Sequence, residues 1–267
     1  MSNSPKGTAL VTGASGGIGA VYAQRLAQRG CDLILVARSK DRLHEHAARI
    51  KAESGRTVDI LVADLSTADG IATVAGRLEQ DASITLLINN AGMMLPGAFL
   101  DNDAKGTVDL ITLNVTAPTL LASAAAKVFL ARKQGAIVNI GSVVSLLPEM
   151  FGGAYGGSKA YILNLSQSLA AQLKDGGVHV QAVLPGPTRT GIWTQNGLDP
   201  DAMMPGKIMA AEDLVEAALA GLDAGETVTI PSLPDEALWA QFEASRFGMA
   251  PHLAQRDIAA RYRAGNV

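Results

Sequence analysis

The residues of this sequence best suited to chemistry are a tyrosine and a lysine four positions apart, Tyr155 and Lys159, and a serine thirteen positions earlier, Ser142. Positions i and i+4 of a helix share a face, so the phenol and the ammonium group can meet in one pocket. A nearby cation favours the phenolate and lowers the phenol pKa, bringing it closer to the range in which a general acid or base works. The alternative interpretation is a tyrosine that packs beside a surface lysine.

The elements that would position these residues follow from the alternation of short apolar runs with longer helical patterns. Such alternation predicts βαβ units, and therefore an α/β fold with a doubly wound parallel sheet of about seven strands and helices on both faces. The predicted strands are 8–12, 32–37, 57–62, 84–89, 136–141, 178–184 and 227–231. The predicted helices are 17–29, 40–54, 68–81, 103–132, 153–175, 211–221 and 235–247. Ligands bind at the carboxyl ends of strands in such sheets, and Ser142 directly follows one strand.

The length of 267 residues fits one large α/β domain over 1–267. Two segments fall outside the alternation. One is 187–209, which is rich in Pro, Gly and Met, and the other is 232–267, a predicted C-terminal helical extension. Hydrophobic residues make up 48% and aromatic residues 4% of the chain, which predicts an aliphatic core.

Composition argues against several function classes. A formal net charge of −3 without a dominant basic patch argues against nucleic acid as a partner. The short polar start lacks the apolar core of a signal peptide, and no uncharged apolar stretch approaches the ~18 residues of a membrane helix, so no membrane partner and a cytoplasmic location are expected. Cys31 has no second cysteine to pair with. The four histidines lack metal-ligand spacing with acids or with Cys31, so no metal site is expected.

A glycine-rich loop joins the first predicted strand to the first predicted helix. It reads Thr12-Gly13-Ala14-Ser15-Gly16-Gly17-Ile18-Gly19. Glycines let the backbone turn tightly and approach a pyrophosphate at a helix N-terminus. The G-x-x-x-G-x-G spacing differs from the G-x-G-x-x-G fingerprint, and the loop lacks the Gly-Lys-Ser/Thr ending of a P-loop.

Together these motifs resemble those of the short-chain dehydrogenase/reductase family, in the family's order and over about residues 8–190. The matching segments are the glycine loop at 12–19, Asn89-Asn90-Ala91-Gly92 after the fourth strand, Asn114 in a helix, Ser142, Tyr155 with Lys159, and Pro185-Gly186 with Thr190. The resemblance implies a Rossmann-type fold, a nicotinamide cofactor and reversible oxidoreduction between a carbonyl and an alcohol. It also implies a homodimer or homotetramer, and a substrate lid at residues 187–209.

The resemblance further implies which residues contact the cofactor. They are Gly13, Ser15, Gly17, Ile18, Gly19, Asp64, Leu65, Asn90, Ala91, Gly92, Tyr155, Lys159, Pro185, Gly186, Thr188 and Thr190. Asp64 resembles the family's adenine contact, with helix capping by Asp64 or Ser66 as the competing interpretation. Asn90 is expected to be partly structural, bridging strand ends beneath the cofactor.

The end of the second strand favours NADP(H) over NAD(H). An NAD-type site usually has a carboxylate about 20 residues past the loop, but Asp32 lies at the start of the second strand rather than at its carboxyl end. That end carries Arg38 and Ser39, which suit a 2′-phosphate. A solvated Arg38 is the alternative. The family's NADP-preferring members often carry a basic residue inside the loop, whereas this chain has Gly16.

By the same resemblance, Ser142 hydrogen-bonds the substrate oxygen, Tyr155 donates the proton, and Lys159 lowers the tyrosine pKa and holds the ribose hydroxyls. Asn114 is expected to anchor a water that links Lys159 to solvent, unless it only marks a mid-helix kink. The sequence therefore predicts an NADP(H)-dependent carbonyl reductase or alcohol dehydrogenase.

The predicted substrate is an uncharged, apolar ketone or aldehyde. Its predicted contacts are Ser142, Leu147, Met150, Tyr155 and Trp193. An acyl-thioester ketoreductase is an alternative, as is a catalytically silent NADP-binding sensor or scaffold protein. A sugar-nucleotide epimerase would need a longer chain.

Overall fold

The structure is a computed structural model that describes residues 7–149 and 153–263. Within these residues, seven parallel strands form one sheet in the order β3-β2-β1-β4-β5-β6-β7. The strands are β1 (Thr8–Thr12), β2 (Asp32–Ala37), β3 (Val58–Val62), β4 (Ile84–Asn89), β5 (Gly135–Ile140), β6 (Val178–Val183) and β7 (Val228–Thr229). The doubly wound parallel sheet predicted from the sequence is confirmed.

Helices between the strands cover both faces of the sheet. The helices that precede β7 are α1 (Gly17–Gln28), α2 (Lys40–Ser54), α3 (Ala68–Gln80), α4 (Ala104–Ile111), α5 (Ala117–Arg132), α6 (Gly153–Leu173), α7 (Gly191–Gln195), α8 (Pro200–Met203) and α9 (Ala211–Ala224). Two more helices follow β7 in the chain, α10 (Glu236–Gly248) and α11 (Ala250–Leu253). Short 3₁₀ turns include Val143–Ser145, directly after β5. The sequence predicted one helix over 103–132, whereas the structure interrupts it with a π-helical turn at Thr112–Thr116 between α4 and α5.

The core consists of two aliphatic clusters, one on each face of the sheet. Successive side chains of a strand point to opposite faces, so Ala9 and Val11 of β1 join the cluster under α1, α2 and α9, while Leu10 joins the cluster under α3 and α5. Strands buried on both faces are mainly apolar, and β1 and β2 carry continuous apolar runs at 9–11 and 33–37.

The strand order places a crevice at the carboxyl end of β1. This strand pairs with β2 on one side and β4 on the other, so the connections after β1 and β4 leave toward opposite faces of the sheet. Such a switch point is where open α/β sheets bind ligands. The glycine loop follows β1 and Asn90 follows β4, which brings both segments to the crevice.

The helical stretch Ala104–Arg132 is long and apolar enough to cross a membrane by length and composition, contrary to the sequence expectation. Half of its most apolar window is buried, and residues of α5 such as Leu121, Ala125 and Phe129 pack in the core cluster under α3 and α5. Burial of this kind is typical of a core helix. The lack of a membrane partner stays a prediction.

The chain divides into two compact units, with the boundary between Pro231 and Ser232. The assignment of 1–267 to a single domain stays a prediction. In the second unit, the Asp235 carboxylate accepts a hydrogen bond from the Ala237 N–H and caps α10, on which Trp239 and Phe242 stack with ring centroids 5.2 Å apart.

The predicted lid, 187–209, belongs to the first unit and contains α7 and α8. A bridge between Thr188 and Met209 closes its base. Within the segment, the Arg189 guanidinium donates two hydrogen bonds to the Asp201 carboxylate, at 2.6 and 2.8 Å.

Candidate active site

The glycine loop is tied to the end of β4 by two polar side chains. Thr12 Oγ1 accepts hydrogen bonds from the N–H groups of Asn90 (2.9 Å) and Ala91 (3.0 Å) and donates to the Ile88 carbonyl. In return, Asn90 Nδ2 donates to the carbonyls of Thr12 (2.9 Å) and Gly13 (3.3 Å). The structural part of the role predicted for Asn90 thus has a geometric basis.

Two of the loop glycines leave no room for a side chain. A Cβ on Gly13, whose φ is +67°, would lie 2.7 Å from Asn90 Nδ2, and a Cβ on Gly19 would lie 2.4 Å from the same atom and 2.5 Å from the Gly13 carbonyl oxygen. The loop therefore closes directly onto the start of α1. No side chain caps this helix and its first turn carries no acidic residue, so its N-terminal N–H groups suit a phosphate.

Ser142 lies at the carboxyl end of β5, where strand and turn fix its side chain. Its Oγ accepts from the Val144 N–H (3.3 Å), which caps the turn Val143–Ser145, and donates to the Pro185 carbonyl at 3.4 Å. The Val143 N–H also donates to the Pro185 carbonyl. These bonds join the ends of β5 and β6 and hold the serine at the crevice.

Tyr155 and Lys159 lie on the first turns of α6, facing Ser142. The Tyr155 and Ser142 hydroxyls share a hydrogen bond. Lys159 Nζ lies 5.8 Å from the centroid of the Tyr155 ring and donates to the Ile140 carbonyl at 2.9 Å. The i, i+4 spacing thus places the phenol and the ammonium group on one face, as predicted.

The ionisation of the pair differs from the sequence prediction. Burial raises the pKa of Tyr155, and the hydrogen bond with Ser142 offsets only part of that rise. Burial lowers the pKa of Lys159 from 10.5 to about 8. The expectation that Lys159 lowers the tyrosine pKa is therefore wrong for the cofactor-free protein, because removal of water from the phenol dominates.

Asn114 lies in the π-helical turn between α4 and α5, and π turns of this kind are frequent at functional sites. Its Oδ1 accepts from the Met93 N–H (2.9 Å), and its Nδ2 donates to the Met93 carbonyl (2.8 Å) and to Ser158 Oγ (3.1 Å). The side chain therefore joins the segment after β4 to α6, next to Lys159. The predicted water link stays a prediction.

A cleft of about 710 Å³ runs along the carboxyl ends of the strands. The predicted catalytic residues Ser142, Tyr155 and Lys159 line it, as does the predicted substrate contact Trp193. Most predicted cofactor residues also line it: Gly13, Ser15, Gly17, Ile18, Arg38, Ser39, Asp64, Leu65, Asn90, Ala91, Gly92, Pro185, Gly186, Thr188 and Thr190.

Three of the predicted site residues that the structure describes are not in the wall of this cleft. Gly19 is buried against the Gly13 carbonyl, and Asn114 is buried behind Met93. Leu147 is 51% exposed and does not line the cleft. Met150 lies outside the described residues.

The end of the cleft beyond β2 is basic. Arg38, Ser39 and Arg42 line it, and neither guanidinium has a hydrogen-bond or salt-bridge partner among residues 7–149 and 153–263. Ser39 is the N-cap of α2 but makes no side-chain capping bond. Asp32 lies at the opposite end of β2, in a salt bridge of 2.9 Å with Arg56. The argument against Asp32 as a ribose contact is therefore consistent with the geometry.

Of the two roles considered for Asp64, helix capping by Asp64 or Ser66 is wrong, because Thr67 is the N-cap of α3 and accepts from the Gly70 N–H, while the adenine contact stays a prediction. Asp64 Oδ1 accepts from the Ser66 N–H (2.9 Å) and Oγ (2.7 Å), while the residue also lines the cleft. Burial alone would raise the pKa of Asp64, but the bonds from Ser66 and the charge of Arg38 outweigh that effect and lower it.

Sequence reasoning missed several residues that shape the site. Thr12 was noted only as part of the loop, although its hydroxyl organises the Asn90 segment. Arg42 lies on the first turn of α2, just after Arg38 and Ser39, and that closeness in sequence was a signal for it. The carbonyl of Ile140 and the hydroxyl of Ser158, which fix Lys159 and Asn114, leave no pattern in a sequence.

Comparison with known proteins agrees with the geometry. Residues 7–201 match the family model for short chain dehydrogenase. The chain is 37% identical over 184 residues to a very-long-chain 3-oxoacyl-CoA reductase of Kluyveromyces lactis; the match covers 66% of this chain and 53% of that protein. The chain thus spans about half the length of the curated relatives it matches.

Two solved structures are similar over almost the whole chain. A short-chain dehydrogenase from Sphingobium yanoikuyae in complex with NADPH has a TM-score of 0.93 and 49% identity, over 96% of this chain and 100% of the other. A bulky-bulky ketone specific alcohol dehydrogenase from Comamonas testosteroni has a TM-score of 0.88 and 44% identity, over 96% and 98%.

Proposed function

Since the chain belongs to the short-chain dehydrogenase family, we propose that it is an NADP(H)-dependent oxidoreductase that interconverts an apolar ketone or aldehyde and the corresponding alcohol. The observation that carries this proposal is that one cleft is lined both by Ser142, Tyr155 and Lys159 and by the glycine loop. A catalytically silent sensor would not need this constellation.

The cofactor-binding residues present fit NADP(H). The N-terminus of α1 suits the pyrophosphate, and the guanidinium groups of Arg38 and Arg42 at the far end of the cleft suit a 2′-phosphate. The Cβ of a residue at Gly17, whose φ is +54°, would meet Thr190 at 3.3 Å, so glycine keeps this wall of the cleft open. The NADPH complex of the Sphingobium relative supports the same choice of cofactor.

The chain's residues would act as follows on a bound carbonyl. The nicotinamide, when bound, supplies a hydride to the carbonyl carbon or accepts one in the reverse direction. Ser142 Oγ donates a hydrogen bond to the carbonyl oxygen, where negative charge develops. Tyr155 Oη transfers its proton to that oxygen, which balances the charge. Lys159 remains protonated at neutral pH and stabilises the phenolate left on Tyr155.

The lining of the cleft near Ser142 supports an uncharged substrate. Its side chains there are apolar and adaptable, and they include two thioethers. They are Met93, Met94, Leu113, Val143, Val144, Ile192 and Trp193. The Trp193 Nε1–H already donates to the Thr188 carbonyl at 2.7 Å, so this indole offers the substrate only its apolar ring. The Comamonas relative, named for bulky-bulky ketones, suggests ketones with two large substituents.

The second candidate is a 3-oxoacyl thioester ketoreductase, as the Kluyveromyces relative is named. A substrate panel separates the two. We expect NADPH oxidation with a diaryl or aryl-alkyl ketone at a kcat/KM at least 10-fold above that with a 3-oxoacyl-CoA. The reverse ranking would favour the thioester reductase, and binding of NADPH without turnover on either class would favour the sensor.

The quaternary state and the location of the protein are also our proposals. Val108, Ile111 and Tyr161 on α4 and α6 are large apolar residues that remain more than a third exposed. Their exposure supports a homo-oligomer, which sedimentation velocity would test. A cytoplasmic location rests on composition alone, and fractionation of cells expressing the full-length protein would test it.

A further inference from the structure

A buried chain of hydrogen bonds lies one layer below the cleft and joins four elements. Asn89 Nδ2 at the end of β4 donates to the Pro118 carbonyl of α5 (3.2 Å) and to Asn139 Oδ1 of β5 (2.9 Å). Asn139 Nδ2 donates to Ser166 Oγ of α6 (2.9 Å), which donates to the Ile162 carbonyl (2.7 Å). The exposed fraction of Asn139 and Ser166 is 0%.

Each of these four elements also positions part of the site. Asn139 lies on β5 three residues before Ser142, which follows the end of that strand, and Pro118 follows Asn114 by one helical turn. Asn89 immediately precedes Asn90, which clamps the glycine loop. On α6, Ser166 is two helical turns from Lys159 and shares its face.

Nothing in the chemistry assigned above uses Asn139 or Ser166, and burial of polar side chains in an apolar layer is costly unless they are bonded. Their neighbours in the core cluster are aliphatic, and Ile137 and Val180 lie close by on the same face of the sheet. A fully satisfied polar network inside a core fixes one arrangement of the elements it joins. Asn139 is at the centre of this network, because its side-chain amide accepts a hydrogen bond from Asn89 of β4 and donates one to Ser166 of α6.

We propose that Asn139, together with Ser166, is a positioning residue that sets the spacing between Ser142 on β5 and Tyr155 and Lys159 on α6. This inference rests on the proposed function, since it concerns the same catalytic groups. The hydrogen bond from Lys159 to Ile140 joins the same two elements at the level of the cleft. The bond between Asn139 and Ser166 is a second connection, which prevents α6 from tilting about the first.

The test compares Asn139→Leu and Ser166→Ala with Gln181→Met. Gln181 on β6 is equally buried, but its Nε2 donates to the Ala218 carbonyl (2.9 Å) and to Thr229 Oγ1 (2.8 Å), away from α6. All three substitutions remove buried polar groups and are expected to lower stability.

A displacement of catalytic groups by about 1 Å costs up to about 100-fold in rate. We therefore expect kcat to fall about 10- to 100-fold in Asn139→Leu and Ser166→Ala, with the Kd for NADPH within about 3-fold of wild type. Gln181→Met should keep kcat within about 2-fold.

A second readout does not depend on turnover. The chain has four tyrosines, and ¹³C-tyrosine NMR with Tyr155→Phe identifies the Tyr155 resonance. The inference predicts that Asn139→Leu and Ser166→Ala shift this resonance and the pH at which it titrates, whereas Gln181→Met does not. If Asn139→Leu and Ser166→Ala leave the resonance and its titration unchanged, the inference is overturned, even if the wild-type protein reduces no carbonyl substrate. Absence of wild-type turnover with a shifted resonance would overturn only the proposed function.

Discussion

Replacement of Lys159 by methionine should stabilise the cofactor-free protein while abolishing catalysis. Burial lowers the pKa of Lys159 from 10.5 to about 8, because the charged form is held away from water. One pKa unit corresponds to about 1.4 kcal/mol, so the buried charge costs the folded state about 3 kcal/mol at pH 7. Methionine has a similar length and no charge, and it removes that cost.

The expected net gain is smaller because Lys159→Met also loses the hydrogen bond to the Ile140 carbonyl. Loss of one such bond costs about 1 kcal/mol. We therefore expect the free energy of unfolding at pH 7, measured by urea denaturation without cofactor, to rise by about 2 kcal/mol. Lys127→Met, at an exposed position of α5, is the matched control and should change stability by less than about 0.5 kcal/mol.

The lowered pKa of Lys159 also predicts the direction in which the stability difference between wild type and Lys159→Met changes with pH. Below about pH 8, Lys159 is protonated in both states, so its full cost is present in the wild type. Between about pH 8 and 10.5 the folded state releases this proton while the unfolded state keeps it. The contribution of Lys159 to the free energy of unfolding of the wild type therefore becomes more favourable as the pH rises. The stability difference between wild type and Lys159→Met should therefore shrink across this range. A variant less stable than wild type at pH 7, or a difference that is constant from pH 8 to 10.5, would refute the reasoning.

Three further substitutions test other parts of the account. Arg38→Ala should raise the Kd for 2′,5′-ADP, measured by calorimetry, at least 10-fold and leave the Kd for 5′-ADP within 2-fold of wild type. An equal loss of affinity for both nucleotides would show that Arg38 does not contact the 2′-phosphate. Tyr22→Phe should raise the free energy of unfolding by about 1 kcal/mol, because the buried Tyr22 hydroxyl has no hydrogen-bond partner among the residues that the structure describes and burial raises its pKa; a loss of stability in urea denaturation would show that the hydroxyl has a partner. Gly19→Ala should abolish NADPH binding measured by fluorescence, since its Cβ would collide with Gly13 and Asn90; retained affinity would contradict the closed loop.

The sequence predicted the fold because buried parallel strands and their helices leave strong local patterns. β1, β2 and β4 match the predicted ranges at both ends. Only Val228 and Thr229 pair in the last strand, which was predicted over 227–231, because pairing at the edge depends on a partner strand rather than on local sequence. The π turn at Thr112–Thr116 was missed for a similar reason, since its apolar pattern fits an ordinary helix.

The candidate site was predictable where a residue type and its spacing carry the chemistry, as at Tyr155 and Lys159. The site was less predictable where tertiary contacts determine the pKa of a side chain or its hydrogen-bond partner. The raised pKa of Tyr155 depends on how deeply the phenol is buried, and the pairing of Asn89 with Asn139 depends on the register of β4 and β5. Leu147 follows Ser142 closely in sequence but does not line the cleft, and closeness in sequence alone does not place a side chain at a site.

The most direct test of the central claim is NADPH oxidation, followed at 340 nm, by wild type and Tyr155→Phe on the best ketone of the panel. Proton transfer by a positioned group contributes about 10²- to 10⁴-fold. The account predicts that Tyr155→Phe loses at least ~100-fold in kcat while its Kd for NADPH stays within a few-fold of wild type. A Tyr155→Phe variant with near-wild-type kcat would contradict the account, because the proton would then come from another group.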